Sequence, residues 1–315
     1  MPNIRELPQV QDGWTVSSRA TIKDDMDLGD ADGATAFVLA GGGSLGAVQA
    51  GMLVELVSSG VQPDLVVGVS AGALNGAFLA YDPSVLMMER IAQLWRRVKT
   101  REALGLTWRS LFGLFGNRGA VADSRGLRNL LERELPYRTF EATKLPLHIV
   151  AADETTGAEV LLNKGDVVQA VLASTAIPGV FAPVKVGGRN LVDGVIATGT
   201  PISTAVRLGA TRLIVLPCGF TCVEKAIPRH AIGRAMHAIT LLGARQLRQD
   251  FEHYVDRVTL RLIPPLCPLE YSSYDYSHAD SLISLAREST RRWLDSGGLQ
   301  CKDFPQQLIV HTHKA

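Results

Sequence analysis

Short apolar runs alternate with segments of helical spacing along most of this 315-residue chain. The runs "TAFVLA" and "DLVVGV" are each followed by glycines and small residues and then by a helical pattern, the first of which ends near Gly60. Repeated strand–turn–helix units of this kind predict a parallel sheet with helices on both of its faces. The predicted fold class is therefore α/β, with a parallel-rich central sheet flanked by helices.

The same alternation continues towards the C-terminus. Further strands are predicted at residues 146–153, 158–163, 211–218 and 257–265, and helices at 83–99, 125–134, 166–174, 202–208, 232–255 and 279–295. Residues 1–34, with the acidic stretch "DDMDLGDAD", are polar and aperiodic and are predicted to form a mobile arm. Because the sequence has no internal repeat or low-complexity linker, we expect one domain over residues 35–300 and a C-terminal tail over 301–315.

Charge and composition argue against several classes of protein. The 32 basic and 31 acidic side chains nearly cancel, which gives no electrostatic basis for binding nucleic acid. Four cysteines are too few for a disulfide framework, and Cys218 and Cys222 lack the second ligand pair of a zinc site. The N-terminus has no apolar signal-peptide core, and glycines interrupt the uncharged stretch 65–81. We therefore expect a cytoplasmic protein that uses no metal and no cofactor.

The segment Gly68-Val69-Ser70-Ala71-Gly72 has the pattern of a nucleophile turn, in which a strand changes abruptly into a helix. Side chains two positions before and two after the serine would clash in such a turn, which explains the two glycines. The turn places the hydroxyl at the carboxyl end of the sheet and at the positive end of a helix. An ordinary glycine-rich turn is the alternative, but the flanking strand and helix favour a nucleophilic Ser70.

The glycine loop "GGGSLG", which begins at Gly41 and ends at Gly46, has two interpretations. It fits the G-x-G-x-x-G pattern of a dinucleotide site, but such a site needs an acid at the end of the second strand, and Asp64 precedes that strand. We favour an oxyanion hole, in which backbone amides stabilise a tetrahedral oxyanion beside the serine. The predicted donors are the amides of Gly41, Gly42, Gly43 and Ala71.

A serine nucleophile needs a base, and the sequence offers two candidates. Among the seven histidines, His278 fits the chain order of an α/β-hydrolase triad if Asp193 supplies the acid. However, none of the histidines follows a strand in a glycine-bounded turn. Asp193 itself follows a short strand and precedes Gly194, a position where aspartate often caps a helix or accepts backbone hydrogen bonds. The residues alone leave the identity of the base open.

Four segments together resemble the patatin-like phospholipase family in their order and spacing. They are "AGGGSLGAVQAGML", "VVGVSAGALNGAFLA", "ASTAIPGVFAPVKVGGRNLVDGVIATGTP" and "AVRLGATRLIVL", and they cover roughly residues 36–219. The resemblance implies a patatin-like three-layer fold and a serine–aspartate dyad without a histidine, with Ser70 as the nucleophile and Asp193 as the general base. The matching motif glycines are Gly46, Gly68, Gly72 and Gly194.

Three positions depart from the family pattern. Leu45 stands where the family usually has arginine or lysine, Val195 follows Asp193 and Gly194 in place of glycine or alanine, and Gly199 replaces an asparagine. None of these changes removes the predicted dyad, but the missing cation affects how the loop or a lipid headgroup is held.

The sequence therefore predicts a serine hydrolase that cleaves acyl esters of lipids through an acyl-enzyme. Two alternatives remain: an acyltransferase, in which an alcohol or a carrier thioester replaces water, and a lipid-binding protein that has lost turnover. The expected partners are a lipid or fatty-acyl ester and, transiently, a membrane surface, but not nucleic acid. The apolar segment 104–119, "LGLTWRSLFGLFGNRG", is interpreted either as a mobile flap over the site or as a buried helix or hairpin.

Overall fold

The structure, a computed structural model, describes residues 33–98, 124–219, 231–269, 271 and 275–308. The predicted N-terminal arm, apart from its last two residues, and the predicted flap at 104–119 lie outside these ranges.

Eight strands of the described residues join in one sheet. They are β1 (Thr35–Leu39), β2 (Leu65–Val69), β3 (Leu147–Asp153), β4 (Glu159–Leu162), β5 (Val184–Val186), β6 (Arg189–Asp193), β7 (Arg212–Leu216) and β8 (Thr259–Leu262). The strand order is β5-β6-β3-β2-β1-β7-β8, and β4 pairs with β3. The central pairs β3–β2, β2–β1, β1–β7 and β7–β8 are parallel, which confirms the predicted parallel-rich sheet.

One edge of the sheet is antiparallel. Both β4 and β6 pair with β3 in antiparallel fashion, and β5 forms a hairpin with β6 through Gly187 and Gly188. A parallel pair needs a crossover of about a dozen residues or more, whereas only short turns join β3 to β4 and β5 to β6. This edge matters for the site, because Asp193 is the last residue of β6.

Helices cover both faces of the sheet, as predicted. They are α1 (Gly46–Ser58), α2 (Ala71–Tyr81), α3 (Val85–Arg97), α4 (Arg125–Glu134), α5 (Val167–Ser174), α6 (Ile202–Arg207), α7 (Ala231–Tyr254) and α8 (Ala279–Asp295). Phe37 and Leu39 of β1 lie in the larger core, to which α1, α2, α3, α5 and α8 contribute. Ala36 and Val38 lie in the opposite core with α6 and α7, so the architecture has three layers.

Local capping explains where two of these helices begin. Ser84 precedes α3 and accepts a hydrogen bond from the amide of Met87, and Asp166 precedes α5 and accepts one from the amide of Gln169. Side-chain acceptors at this position satisfy amides that have no partner within the helix.

Within the described ranges, no helix combines the length and the apolar character needed to cross a bilayer.

An ion-pair cluster around the buried carboxylate of Glu55 joins α1 to α8. Glu55 on α1 is 5% exposed and accepts hydrogen bonds from Arg287 at 2.8 Å and from Arg291 at 3.2 Å. Arg287 also donates to Glu89 of α3 at 2.7 Å. The cluster therefore connects three helices of the larger core.

Candidate active site

Ser70 occupies the turn between β2 and α2. Its backbone has φ 54° and ψ −120°, a conformation that side chains rarely adopt, and α2 begins at the next residue, Ala71. A Cβ atom at Gly68 would lie 2.5 Å from the carbonyl oxygen of Gly72, and one at Gly72 would lie 2.2 Å from that of Leu39. Only glycine fits at either position, so the structure forms the tight strand–turn–helix unit that the sequence predicts.

The Ser70 hydroxyl and the Asp193 carboxylate are in direct contact. Ser70 Oγ donates a hydrogen bond to Asp193 Oδ2 over 2.8 Å, although 123 positions separate the two residues. The other carboxylate oxygen, Oδ1, accepts from the amide of Val195 at 3.0 Å. Ser70 is 5% exposed and Asp193 is 1% exposed. The distance suits transfer of the serine proton to the carboxylate.

The sheet brings these two residues together. Val69, which precedes Ser70, pairs with Val150 of β3, and the next residue of β3, Ala151, pairs with Asp193 of β6. Because β3 lies between β2 and β6, the two side chains meet across the end of this one strand. The antiparallel pairing of β6 with β3 therefore positions the Asp193 carboxylate beside Ser70.

Burial changes the acid–base character of Asp193. Loss of solvent raises the pKa of the Asp193 carboxyl to about 7, while the hydrogen bonds from the Val195 amide and the Ser70 hydroxyl act in the opposite direction. Both of these partners are neutral. A carboxylate whose pKa is close to neutrality is a stronger base than an exposed aspartate, and it is still ionised in part at neutral pH.

The glycine loop after β1 places backbone amides beside Ser70. The amide of Gly41 donates to the carbonyl oxygen of Gly199 at 3.0 Å. The Gly41 amide, which the sequence predicts as an oxyanion donor, therefore already has an acceptor in this structure. The amides of Gly42, Gly43 and Ala71 have no hydrogen-bond acceptor among the described residues. These three amides remain the candidate donors.

A buried polar network that no sequence motif indicates supports this loop. Gln49 of α1 donates from Nε2 to the carbonyl oxygen of Ala40 at 2.9 Å. Asn75 of α2 donates to Gln49 Oε1 at 3.0 Å and to the carbonyl oxygen of Gly46 at 2.9 Å, and it accepts from Trp95 Nε1 at 2.8 Å. The network thus holds the loop at both of its ends. The sequence signal for this network is an amide side chain, Gln49 or Asn75, in a helix whose neighbouring residues are apolar or small.

Ser70 lines two adjoining cavities. The first is lined mainly by apolar side chains, which include Leu74, Leu94, Trp95, Leu130 and Phe181. The second adjoins Asp193 and the glycine loop, and its walls include Thr200, Thr240 and Cys218. Ser70 therefore stands between an apolar compartment and a more polar one.

His278, the alternative base, has other partners. Its Nε2 lies 3.2 Å from Asp275 Oδ2, and its ring stacks on Tyr271 with the ring centroids 4.2 Å apart. The acid that would complete a triad, Asp193, contacts Ser70 instead.

Across the described ranges, no group of three or more histidine, cysteine, aspartate or glutamate side chains is arranged to hold a metal ion.

Two of the departures from the family pattern have a structural explanation. Leu45 is 2% exposed and belongs to the larger hydrophobic core, where a cation would be buried. Gly199 accepts the Gly41 amide, and its own amide donates to Gln246 Oε1 of α7 at 3.2 Å. A Cβ atom at Gly199 would lie 3.2 Å from Cα of Gly243, so a small residue suits the close approach of α7.

The chain belongs to the patatin-like phospholipase family. The sequence model of that family matches residues 37–206, which is more than half of the chain and includes Ser70, Asp193 and the glycine loop. This match confirms the resemblance drawn from the motifs. It also supports a lipid-hydrolysing function at the level of the family.

Two relatives show how far the similarity extends. The mouse (Mus musculus) patatin-like phospholipase domain-containing protein 7 is 27% identical over 188 residues, which are 59% of this chain and 14% of that protein. An uncharacterized NTE family protein of Mycobacterium tuberculosis is 32% identical over 168 residues, which are 52% of this chain and 27% of that protein. The matched region thus spans less than a third of either relative.

Among solved structures, the chain is similar to human GIVD cytosolic phospholipase A2 in complex with methyl gamma-linolenyl fluorophosphonate. The TM-score is 0.44 and the sequence identity 11%, over 85% of this chain and 58% of that one.

Proposed function

We propose that this protein is a serine hydrolase that cleaves acyl esters of lipids, with Ser70 as the nucleophile and Asp193 as the general base. The observation that carries the proposal is the 2.8 Å hydrogen bond between Ser70 Oγ and Asp193 Oδ2 in a buried site. A serine hydroxyl is a weak nucleophile until an adjacent base accepts its proton. Membership of the patatin-like phospholipase family favours a lipid ester as the substrate.

In the acylation step, the Asp193 carboxylate takes the proton of Ser70 as Oγ bonds to the ester carbonyl carbon. The negative charge that develops on the carbonyl oxygen is stabilised by the amides of Gly42, Gly43 and Ala71. The tetrahedral intermediate then collapses and the bond to the alcohol oxygen breaks. The alcohol leaves with the proton that Asp193 holds, and Ser70 remains acylated.

In the deacylation step, the ionised Asp193 takes a proton from a water molecule whose oxygen attacks the acyl carbon. The bond between this carbon and Ser70 Oγ breaks, the serine regains the proton, and the fatty acid is released. The same carboxylate therefore acts as base and then as acid in each half of the reaction.

The two cavities suggest how an ester would lie across Ser70. The first cavity suits the hydrocarbon chain of the acyl group, since most of the side chains that line it are apolar. The second cavity, which adjoins Asp193, suits the alcohol group and then the attacking water. On α7, which lines this cavity, Leu241 and Leu242 are 54% and 67% exposed, and they offer an apolar surface for transient contact with lipid.

Product analysis with a panel of acyl lipids tests the proposed function. The purified protein should be incubated with vesicles of phospholipid, lysophospholipid and acylglycerol, and with a short soluble ester. We expect fatty acid to be released from at least one lipid class, together with an equal amount of alcohol product. Release no greater than that of Ser70→Ala would contradict the proposal. Acyl transfer to an added alcohol, without free fatty acid, would identify a transferase instead.

A further inference from the structure

The backbone of Ser70 is held in a strained conformation. Among the described residues it is the one residue other than glycine with a positive φ, at 54°. Such conformations persist only where the surrounding contacts determine them. The Ser70 amide is also buried, and a buried amide requires an acceptor.

Ser174, the last residue of α5, supplies that acceptor. The Ser70 amide donates to Ser174 Oγ at 2.8 Å, and Ser174 Oγ donates its own proton to the carbonyl oxygen of Val150 at 2.6 Å. Ser174 is 0% exposed, so water does not compete for these bonds. Because the hydroxyl proton is directed at Val150, the oxygen lone pairs are left to face the Ser70 amide.

The same short segment holds Asp193. The amide of Asp193 donates to the carbonyl oxygen of Ala176 at 2.9 Å. Val150 directly precedes Ala151, the residue of β3 that pairs with Asp193. Residues 174–176 at the end of α5 therefore contact the backbones of both dyad residues from one side.

We propose that Ser174 is a positioning residue, which fixes the Ser70 backbone against β3 and so sets the alignment of Ser70 Oγ with Asp193. This role rests on the proposed function, since it concerns the same serine. Ser174 does not line either cavity at Ser70. Its loss should therefore slow the acylation of Ser70 without weakening the binding of substrate.

The substitution Ser174→Ala removes the acceptor and leaves both the Ser70 amide and the Val150 carbonyl without a partner. We expect the rate of Ser70 labelling by a fluorophosphonate, and kcat for a short soluble ester, to fall about 10²-fold, since displacement of a reacting group by about 1 Å has an effect of this size. KM should change by less than about threefold, because the substitution leaves the contacts that bind the substrate unchanged.

Two further variants separate the hydroxyl from the volume it fills. Ser174→Thr keeps the hydroxyl and should recover most of the labelling rate. Ser174→Cys keeps a similar volume, but its sulfur is a weak acceptor, so it should lose activity as Ser174→Ala does. If Ser174→Ala fails to fold, the comparison of the Thr and Cys variants replaces it.

A matched control removes a buried hydroxyl elsewhere. Thr204 on α6 is 1% exposed, and its hydroxyl donates to Glu159 Oε2 at 2.9 Å, outside both cavities. Thr204→Val should lower the melting temperature but leave kcat within about threefold of the wild-type value. It therefore measures what a loss of stability alone does to the rate.

The outcomes of these measurements are distinct. If the wild-type protein is labelled at Ser70 and Ser174→Ala is labelled equally fast, the positioning role is wrong and the proposed function stands. The role is also wrong if Thr204→Val slows the reaction as much as Ser174→Ala, or if KM rises while kcat is unchanged. A wild-type protein that neither hydrolyses esters nor reacts at Ser70 would overturn the proposed function, and the positioning role with it.

Discussion

Glu55 and Asp193 are both buried carboxylates, yet the groups around them differ in charge. Glu55, between α1 and α8, accepts hydrogen bonds from Arg287 and Arg291. Asp193, at the end of β6, accepts one from the hydroxyl of Ser70 and one from the amide of Val195. No lysine or arginine within the described ranges forms an ion pair with Asp193.

The difference separates a carboxylate that links helices through ion pairs from one whose hydrogen-bond donors are all neutral. The guanidinium groups of Arg287 and Arg291 compensate the buried charge of Glu55 by ion pairing. Neutral donors compensate less for the loss of solvent, so burial raises the pKa of Asp193 to about 7. Neutralising the two carboxylates should therefore have opposite consequences for activity and stability.

The largest expected effect is on activity. Asp193→Asn should reduce ester hydrolysis by at least about 10²-fold and close to the level of Ser70→Ala, because the two residues act as a unit. Glu55→Gln, assayed well below its melting temperature, should retain activity within about threefold. Equal losses of ester hydrolysis in Asp193→Asn and Glu55→Gln would contradict a catalytic role that belongs to Asp193 and not to Glu55.

The second effect concerns pH, and here activity and stability should move in opposite directions. In the folded chain the pKa of Asp193 is raised from its ordinary value of 3.8 to about 7. Between these values the folded state keeps a proton that the unfolded state has lost, so the contribution of Asp193 to stability falls as pH rises through this range. The ionised base that catalysis needs increases over the same range, so kcat/KM should rise towards neutral pH and level off above it.

Asparagine isolates this contribution because it stays neutral at every pH. Asp193→Asn should be more stable than the wild type at pH 8, by up to about 4 kcal/mol in the free energy of unfolding, and the gap should close near pH 4. Denaturant unfolding of both proteins at the two pH values measures this. A wild-type protein that is the more stable of the two at pH 8 would show that the buried carboxylate is not destabilising.

A smaller effect is expected at Glu55. Glu55→Gln leaves Arg287 and Arg291 without their shared carboxylate, and their side chains are 31% and 58% exposed, so water compensates in part. We expect a loss of about 1–2 kcal/mol in the free energy of unfolding at neutral pH. An unchanged denaturation midpoint would mean that the cluster contributes nothing measurable to holding α8 against α1.

The smallest effect on the reaction is expected at His278, which lies beside Asp275 rather than Ser70. His278→Ala should lower kcat/KM by less than about tenfold, below the 10²–10⁴ typical of a general base. A well-folded but inactive variant would instead support a triad in place of the dyad.

Much of the site could be predicted from the sequence because its parts are local. The two glycines around Ser70 are required by contacts within the turn and with the end of β1. The order of strand, glycine loop and helix likewise follows from one continuous segment. In the Ser70 turn and in the glycine loop, the residues that carry the chemical groups are close in sequence to the residues that set the backbone conformation.

The rest depends on contacts between distant segments. Asp193 meets Ser70 only because β6 pairs antiparallel with β3, and the residues alone left its role open until the family resemblance was considered. The acceptor of the Gly41 amide, Gly199, comes from another loop, so the sequence does not show that this predicted oxyanion donor already has a partner. Gln49 and Asn75 have no sequence motif, and their network becomes visible only once α1, α2 and α3 are packed.

Fluorophosphonate labelling is the measurement that tests the Ser70–Asp193 dyad most directly. The reagent forms a covalent bond to an activated serine, and peptide mass spectrometry locates that bond. We expect modification of the wild-type protein at Ser70, none at this position in Ser70→Ala, and labelling of Asp193→Asn at least about 10²-fold slower than wild type. Labelling of Asp193→Asn at the wild-type rate, or a label that maps to another residue, would contradict the dyad.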